Sequence, residues 1–207
     1  MAIGGWKRKS SRHYDMPGAE VTSPRPFSGS FTEFWLHMVH PFRGIVPSLD
    51  ASVFLAPSAE IVGDVVIGAR SSVWFNATVR GDVHWIRIGE ETNIQDNAVV
   101  HVTGGTGPAT IGNRVTVGHS AVVHACTIED RVLIGMGAIV LDQAVIGTGS
   151  IVGAGALVTG RTAVPPGSLV YGNPARVIRP LTDEERASID IYSDKYLRTV
   201  AAYREAG

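Results

Sequence analysis

The sequence is poor in the features that usually announce a partner. Cysteine occurs once, at Cys126, which excludes an intrachain disulfide and fits a reducing, cytoplasmic compartment. A small buried side chain accounts for it. Neither sign of charge dominates: 18 Lys and Arg face 19 Asp and Glu, a formal net charge of −1. That balance lacks the electrostatic footprint of a nucleic-acid or membrane-surface protein. Long apolar runs are missing too, and a bilayer-spanning helix needs roughly 20 such residues. The N-terminal segment has no apolar core of the kind a secretory signal requires, and Asp15, Glu20 and Glu33 interrupt it as a transit peptide.

What the chain does have is a period. An aliphatic residue recurs at every sixth position over long stretches: Ile61, Ile67, Val73 and Val79, then Ile88, Ile94 and Val100, then Ile111, Val117 and Val123, then Ile128 through Val170. Glycine often follows directly, as in Ile67-Gly68, Ile111-Gly112 and Ile134-Gly135. Glycine weakens a strand interior, so its fixed place beside Val or Ile points to repeated corners between short strands. A six-residue step is a solenoid signature, each turn burying its apolar edge on the next. An α-helix would need a period near 3.6. The steps from Val79 to Ile88 and from Val100 to Ile111 are long, which predicts loops at Asp82–Arg87 and Thr103–Ala109. The step from Val123 to Ile128 is one residue short and predicts a tightened corner.

Three segments follow. Residues 1–44 carry a basic cluster (Lys7, Arg8, Lys9, Arg12) and a Pro/Ser/Gly-rich run, and read as a flexible extension. Met38 offers an alternative start, testable by mass spectrometry of the natural N-terminus. Residues 45–180 hold the repeat, whose six-residue character sets in near Pro57. Residues 181–207 read as a C-terminal helix, opened by a Thr182/Glu185 capping box. Ile189, Tyr192, Tyr196, Val200 and Tyr203 form its apolar stripe, a packing surface.

Hexapeptide repeats of this kind resemble the left-handed parallel β-helix, a triangular prism with three hexads per coil. The handedness comes from that resemblance, since left-handed crossovers run against the usual rule. Given three faces, Ile61, Val79, Val100 and Val123 stack on one of them. Their successors Val62, Arg80, His101 and His124 then project outward in a column. Adjacent coils lie about 4.8 Å apart, so His101 and His124 can grip one ion at distances of about 2.0–2.1 Å. A second face stacks Val73, Ile94 and Val117, with Phe75, Asp96 and His119 in a column two positions on. His119 therefore reaches the pair only from a neighbouring chain. Three such contacts close a C3 ring, predicting a homotrimer with a metal at each seam. Three imidazoles suit zinc with an open position for water, and Fe(II) or Co(II) tolerate the same set. His13, His37, His40 and His84 lie outside these columns and receive no role.

Arg80-Gly81-Asp82, Asn93-Ile94-Gln95-Asp96, His101, Gly118-His119 through His124, and Tyr171-Gly172-Asn173-Pro174 together resemble the γ-class carbonic anhydrase family, over about residues 45–180. The resemblance implies a trimer and the metal triad just described. It implies intersubunit ion pairs from Arg80 and Asp82, with Asp96 in the same network. It implies that Gln95 and Asn93 orient a metal-bound hydroxide, and that Tyr171 and Asn173 line the substrate pocket. The implied reaction is reversible hydration of CO2 to bicarbonate, the hydroxide attacking carbon at subunit interfaces. The chain departs from the family pattern in lacking glutamates after the Arg-Gly-Asp and on an acidic loop. Val83 and Thr103–Gly107 stand there instead, so proton export falls to buffer or water and activity is expected to be low. Two alternatives stay open: a carbonic anhydrase-like metal-binding trimer without that activity, and a hexapeptide acyltransferase. A hydration assay separates the first and metal content the second.

Overall fold

The computed structural model describes residues 38–206. The basic cluster, the Pro/Ser/Gly-rich run, His13 and His37 lie outside that range. Within it the chain forms a left-handed parallel β-helix of about seven coils, closed by one helix, Asp183–Ala206. Most strands are two or three residues long because each hexad spends the rest of its length on a corner. The corners need a left-handed backbone. Asn76, Asn97 and Ser120 supply it with φ of 57°, 59° and 58°, and Gly137 and Gly155 continue the same row. Asn tolerates this region better than most residues and Gly occupies it freely.

The sixth-position aliphatics fill the interior in three rows. Ile61, Val79, Val100, Val123, Val140 and Val158 form one, and none is solvent-exposed. Leu55, Val73, Ile94, Val117, Ile134, Val152 and Val170 form the second. Leu49, Ile67, Ile88, Ile111, Ile128, Ile146 and Val164 form the third. The first and third faces merge into one 12-stranded sheet, because the strands Glu60–Ile67 and Thr78–Ile88 run through a corner unbroken. The second face is a separate 8-stranded sheet.

Both predicted loops fall at that merged corner. The register jumps from Gly63↔Gly81 to Val65↔Ile86, which ejects Asp82–Trp85 as a bulge. One coil on, Thr103 and Gly107 pair to close the second loop. The short step tightens at Ala125, whose φ is 48°. Cys126 beside it is buried, and burial pushes its thiol up to about 12.

The solenoid begins earlier than the repeat pattern indicates. Val39–His40, Ser48–Leu49 and Phe54–Leu55 already pair in parallel with the next coil. The last residues of the expected extension thus belong to the first coil. Its spacing is hard to see because Val39 lies 22 positions from its partner Ile61, where later coils of unbroken hexads take 18.

At the other end, Ser168–Gly172 and Ala175–Pro180 form an antiparallel hairpin. The helix then runs back along the prism towards its first coil. The capping box forms, with Thr182 N–H on Glu185 Oε2 at 2.9 Å and Glu185 N–H on Thr182 Oγ1 at 3.3 Å. Arg131 binds Asp190 at 2.7 Å, Arg114 binds Asp194 at 2.7 Å and Glu91, and Arg204 reaches the Ser52 carbonyl at 2.7 Å. The buried side is Ile189, Ser193 and Val200, while Tyr192 turns to solvent. Ser193 replaces it because the helix there closes on a corner, where its hydroxyl donates to the Glu91 carbonyl at 3.2 Å. None of the described helices is long and apolar enough to cross a membrane.

Two outcomes follow from this packing. A Cβ at Gly135 would stand 2.5 Å from the Ala154 nitrogen of the next coil, whereas one at Gly155 meets nothing within 4 Å. Gly135→Ala should therefore cost more than about 2 kcal/mol in denaturant unfolding, as overpacking does, and Gly155→Asn less than about 1 kcal/mol. The helix contacts carry a pH signature. Arg131 holds the Asp190 carboxyl below its ordinary 3.8, and Arg70, then Arg114, hold Glu91 below 4.5 against burial. Depressed carboxyls stabilise fully at neutral pH and lose that contribution as the pH falls below about 4. Amide protection factors in Asp183–Ala206, corrected for intrinsic exchange at each pH, should fall in that window, and at neutral pH in Arg131→Ala.

Candidate metal centre

The strands Val99–His101 and Val122–His124 pair in parallel, with His101 directly opposite His124 and Arg80 opposite His101. Val100 and Val123 point into the core, so alternation turns both imidazoles outward. His101 Nδ1 lies 3.3 Å from His124 Nε2. The remaining nitrogen of each ring meets a carboxylate: His101 Nε2 is 3.0 Å from Asp82 Oδ1, and His124 Nδ1 is 2.9 Å from Asp142 Oδ2. Burial works to raise the Asp82 carboxyl, but hydrogen bonds from His101 and Arg80 outweigh it and hold it below its ordinary value. The Thr103 hydroxyl, then His124, hold Asp142 down against burial. Both carboxylates are thus ionised acceptors, each facing one ring nitrogen of its imidazole. The other two ring nitrogens face each other at 3.3 Å, with one proton or one cation to be placed between them.

His119 stands apart, at the corner after the second face. Its Nδ1 lies 2.9 Å from Asp96 Oδ2, an ion-pair distance, and its backbone N–H donates to Gln95 Oε1 at 3.2 Å. Gln95 Nε2 donates to Asn93 Oδ1 at 3.0 Å, and Asn93 Nδ2 to Thr116 Oγ1 at 2.9 Å. This buried chain fixes the amide of Gln95 beside the His119 backbone. Tyr196, on the C-terminal helix, brings its hydroxyl 3.4 Å from His119 Nε2. Burial, then Asp96, push that phenol up to about 12, so it remains a donor. Among the described residues of one chain, no three His, Cys, Asp or Glu side chains gather around a common point.

The other expected residues divide. Arg80 and Asp82, expected to pair between subunits, already pair within one chain, because two positions along a strand put both on the same face. Within one chain Asp96 lies beside His119. Tyr171 is 56% exposed and covers Gly153, coils away from His119, and Asn173 follows in the hairpin turn. His84 turns its Nδ1 to the Trp85 N–H at 2.9 Å. Asp142 and Thr103 join the site from outside the expected set. The only signal for Asp142 is its place one residue beyond Leu141, the position one coil on from His124. Tyr196, expected only to pack, joins it as well.

A row of outward apolar side chains runs beside the histidine pair. Val99, Val122, Ile139 and Leu157 stack at one-coil intervals, and Val99 and Ile139 are more than a third exposed. Met136, next to His119 on the following coil, is 60% exposed.

Comparison with known proteins places the chain. Residues 125–160 match the family described as bacterial transferase hexapeptide (six repeats). The chain is 41% identical over 207 residues to gamma carbonic anhydrase 1, mitochondrial, of Arabidopsis thaliana, covering 98% of this chain and 74% of that one. It is 50% identical over 159 residues to a probable carbonic anhydrase of Methanocaldococcus jannaschii, covering 75% and 99%. Among solved structures, a hexapeptide transferase family protein from Anaplasma phagocytophilum superposes with a TM-score of 0.78 at 42% identity, covering 81% of this chain and 99% of that one. Identity at this level, over about three-quarters or more of the length of these relatives, makes this chain a member of the gamma carbonic anhydrase family.

Proposed function

We propose that the protein is a metal-dependent carbonic anhydrase, hydrating CO2 reversibly to bicarbonate at sites shared between the chains of a homotrimer. The observation that carries this reading is the facing pair of imidazole nitrogens 3.3 Å apart. Two donors bound to one ion at about 2.0–2.1 Å and a tetrahedral angle stand about 3.3 Å from each other. The donor set fits in a second respect. All three histidines set one ring nitrogen within about 3 Å of a carboxylate, Asp82, Asp142 or Asp96, the kind of partner that normally orients a metal-ligating imidazole.

His101 and His124 of one chain and His119 of its neighbour would hold the ion, zinc or another borderline divalent metal such as Fe(II) or Co(II). The exposed row Val99, Val122, Ile139 and Leu157, with Met136, supplies the apolar surface that such a seam needs. What a divalent ion would contribute there is a water acidified to a pKa of about 7, hence a nucleophile for the carbon of CO2 at neutral pH. The chain's own part is orientation. Asn93 and Thr116 fix the Gln95 amide, which leaves one Gln95 N–H to direct an oxygen at the shared site. Tyr171 and Asn173 are assigned to the wall of the substrate pocket, and Arg80 with Asp82 to holding His101 in place.

Proton export is the weak step. Neither Val83 nor the loop Thr103–Gly107 carries an acid–base group, and the His84 Nδ1 is engaged by the Trp85 amide. The hydration rate should therefore rise with buffer concentration. An acyltransferase, the activity that the name of the Anaplasma hexapeptide transferase family protein would suggest, needs a single basic histidine and gives no reason for three imidazole–carboxylate pairs.

The test is CO2 hydration followed by pH change, on protein loaded with zinc or iron. The wild-type chain should bind about one ion per chain and hydrate CO2, and His119→Ala should lose both. Asp142→Asn should weaken metal binding about 10–100-fold, as loss of such an outer partner does. Hydration by His119→Ala at the wild-type rate would rule the reading out.

A further inference from the structure

We propose that Tyr196 is a positioning residue that caps the third metal ligand: its hydroxyl occupies the His119 nitrogen that the ion would take, holding the ring until a neighbouring chain and the ion arrive. This rests on the assignment of His119 as a ligand made above. Asp96 Oδ2 lies 2.9 Å from His119 Nδ1, which favours a proton on that nitrogen and leaves Nε2 to accept, and Tyr196 Oη is 3.4 Å from Nε2. The His119 side chain is 44% exposed at a prism corner, where little else restrains its ring.

Tyr196 itself is well held. Its ring meets the edge of Trp74 at 5.2 Å between centroids. The helix that bears it is anchored towards its start by Arg131–Asp190 and Arg114–Asp194, and towards its end by Arg204 on the Ser52 carbonyl. The phenol is delivered to His119 by contacts made elsewhere along the prism. It therefore competes with a cation for one lone pair. An unassembled chain keeps this imidazole satisfied and correctly oriented, and the ion displaces the hydroxyl only where His101 and His124 of another chain add their own donors. The cap thus couples metal capture to assembly.

Tyr196→Phe tests this, because it keeps the ring on Trp74 and removes only the hydroxyl. On full-length protein stripped of metal, zinc affinity is read by competition with a chromophoric chelator, alongside the melting temperature of the metal-free protein. Loss of one competing neutral hydrogen bond should tighten zinc binding about fivefold, with the metal-free melting temperature little changed. Unchanged or weaker zinc binding in Tyr196→Phe, while His119→Ala abolishes tight binding, would overturn the cap and leave the ligand assignment standing. Undiminished binding in His119→Ala would overturn the assignment, and the cap with it.

Discussion

One inward aliphatic side chain resting on another, coil after coil, is the constraint from which the remaining structure follows. Each row of Val and Ile sets the register of the backbone hydrogen bonds between coils, as where Gln95 N–H meets the Val117 carbonyl at 2.9 Å. The register fixes which outward side chains become neighbours. Val100 on Val123 is a packing contact, and its consequence one residue later is His101 beside His124. The rise between coils, about 4.8 Å, is too short to separate two imidazoles and long enough to leave a gap between their nitrogens. Hydrophobic stacking thus places a polar pair to within the tolerance that metal chemistry demands.

The electrostatics of the site are then settled by carboxylates delivered from outside the histidine rows. Asp82 comes from the bulge and Asp142 from the next coil, and each removes a proton from consideration at one ring nitrogen. The same device recurs at His119 with Asp96. The three pairs differ in which nitrogen faces the carboxylate, Nε2 in His101 and Nδ1 in His124 and His119, yet each leaves its second ring nitrogen clear of a carboxylate. Irregularities in the repeat gather at this end of the first face. The bulge at Asp82–Trp85, the loop at Thr103–Gly107 and the tightened corner at Ala125 surround the pair, as expected where a repeat is bent to serve a site.

The solenoid, its three inward rows and the His101–His124 pairing are legible in the spacing, because a six-residue period leaves little freedom once three faces are granted. Handedness is not, since the period is the same for either hand. Asp142 is hidden because it sits one residue beyond the Leu141 position of its column, and its reach depends on a side-chain angle that spacing does not encode. The first coil is hidden because the loop after His40 lengthens the step from Val39 to Ile61, although Leu49 and Leu55 keep the period. Tyr196 shows a different limit. Helical periodicity identifies it as a packing residue, which it is against Trp74, and periodicity says nothing about where a hydroxyl ends. The buried position of Ser193 depends likewise on how closely the helix approaches the Glu91 corner.

Sharing of the site between chains is the central claim, and subunit mixing tests it most directly. His119→Ala and His101→Ala chains are prepared separately, dissociated, mixed and reassembled, and zinc bound per trimer is measured. Each variant alone lacks a ligand at every seam. In a mixed trimer, one seam joins the intact His101–His124 pair of one chain to the intact His119 of the other. The account predicts that mixing restores up to one tight site per mixed trimer. Mixed trimers that bind no more zinc than the separate variants would contradict it.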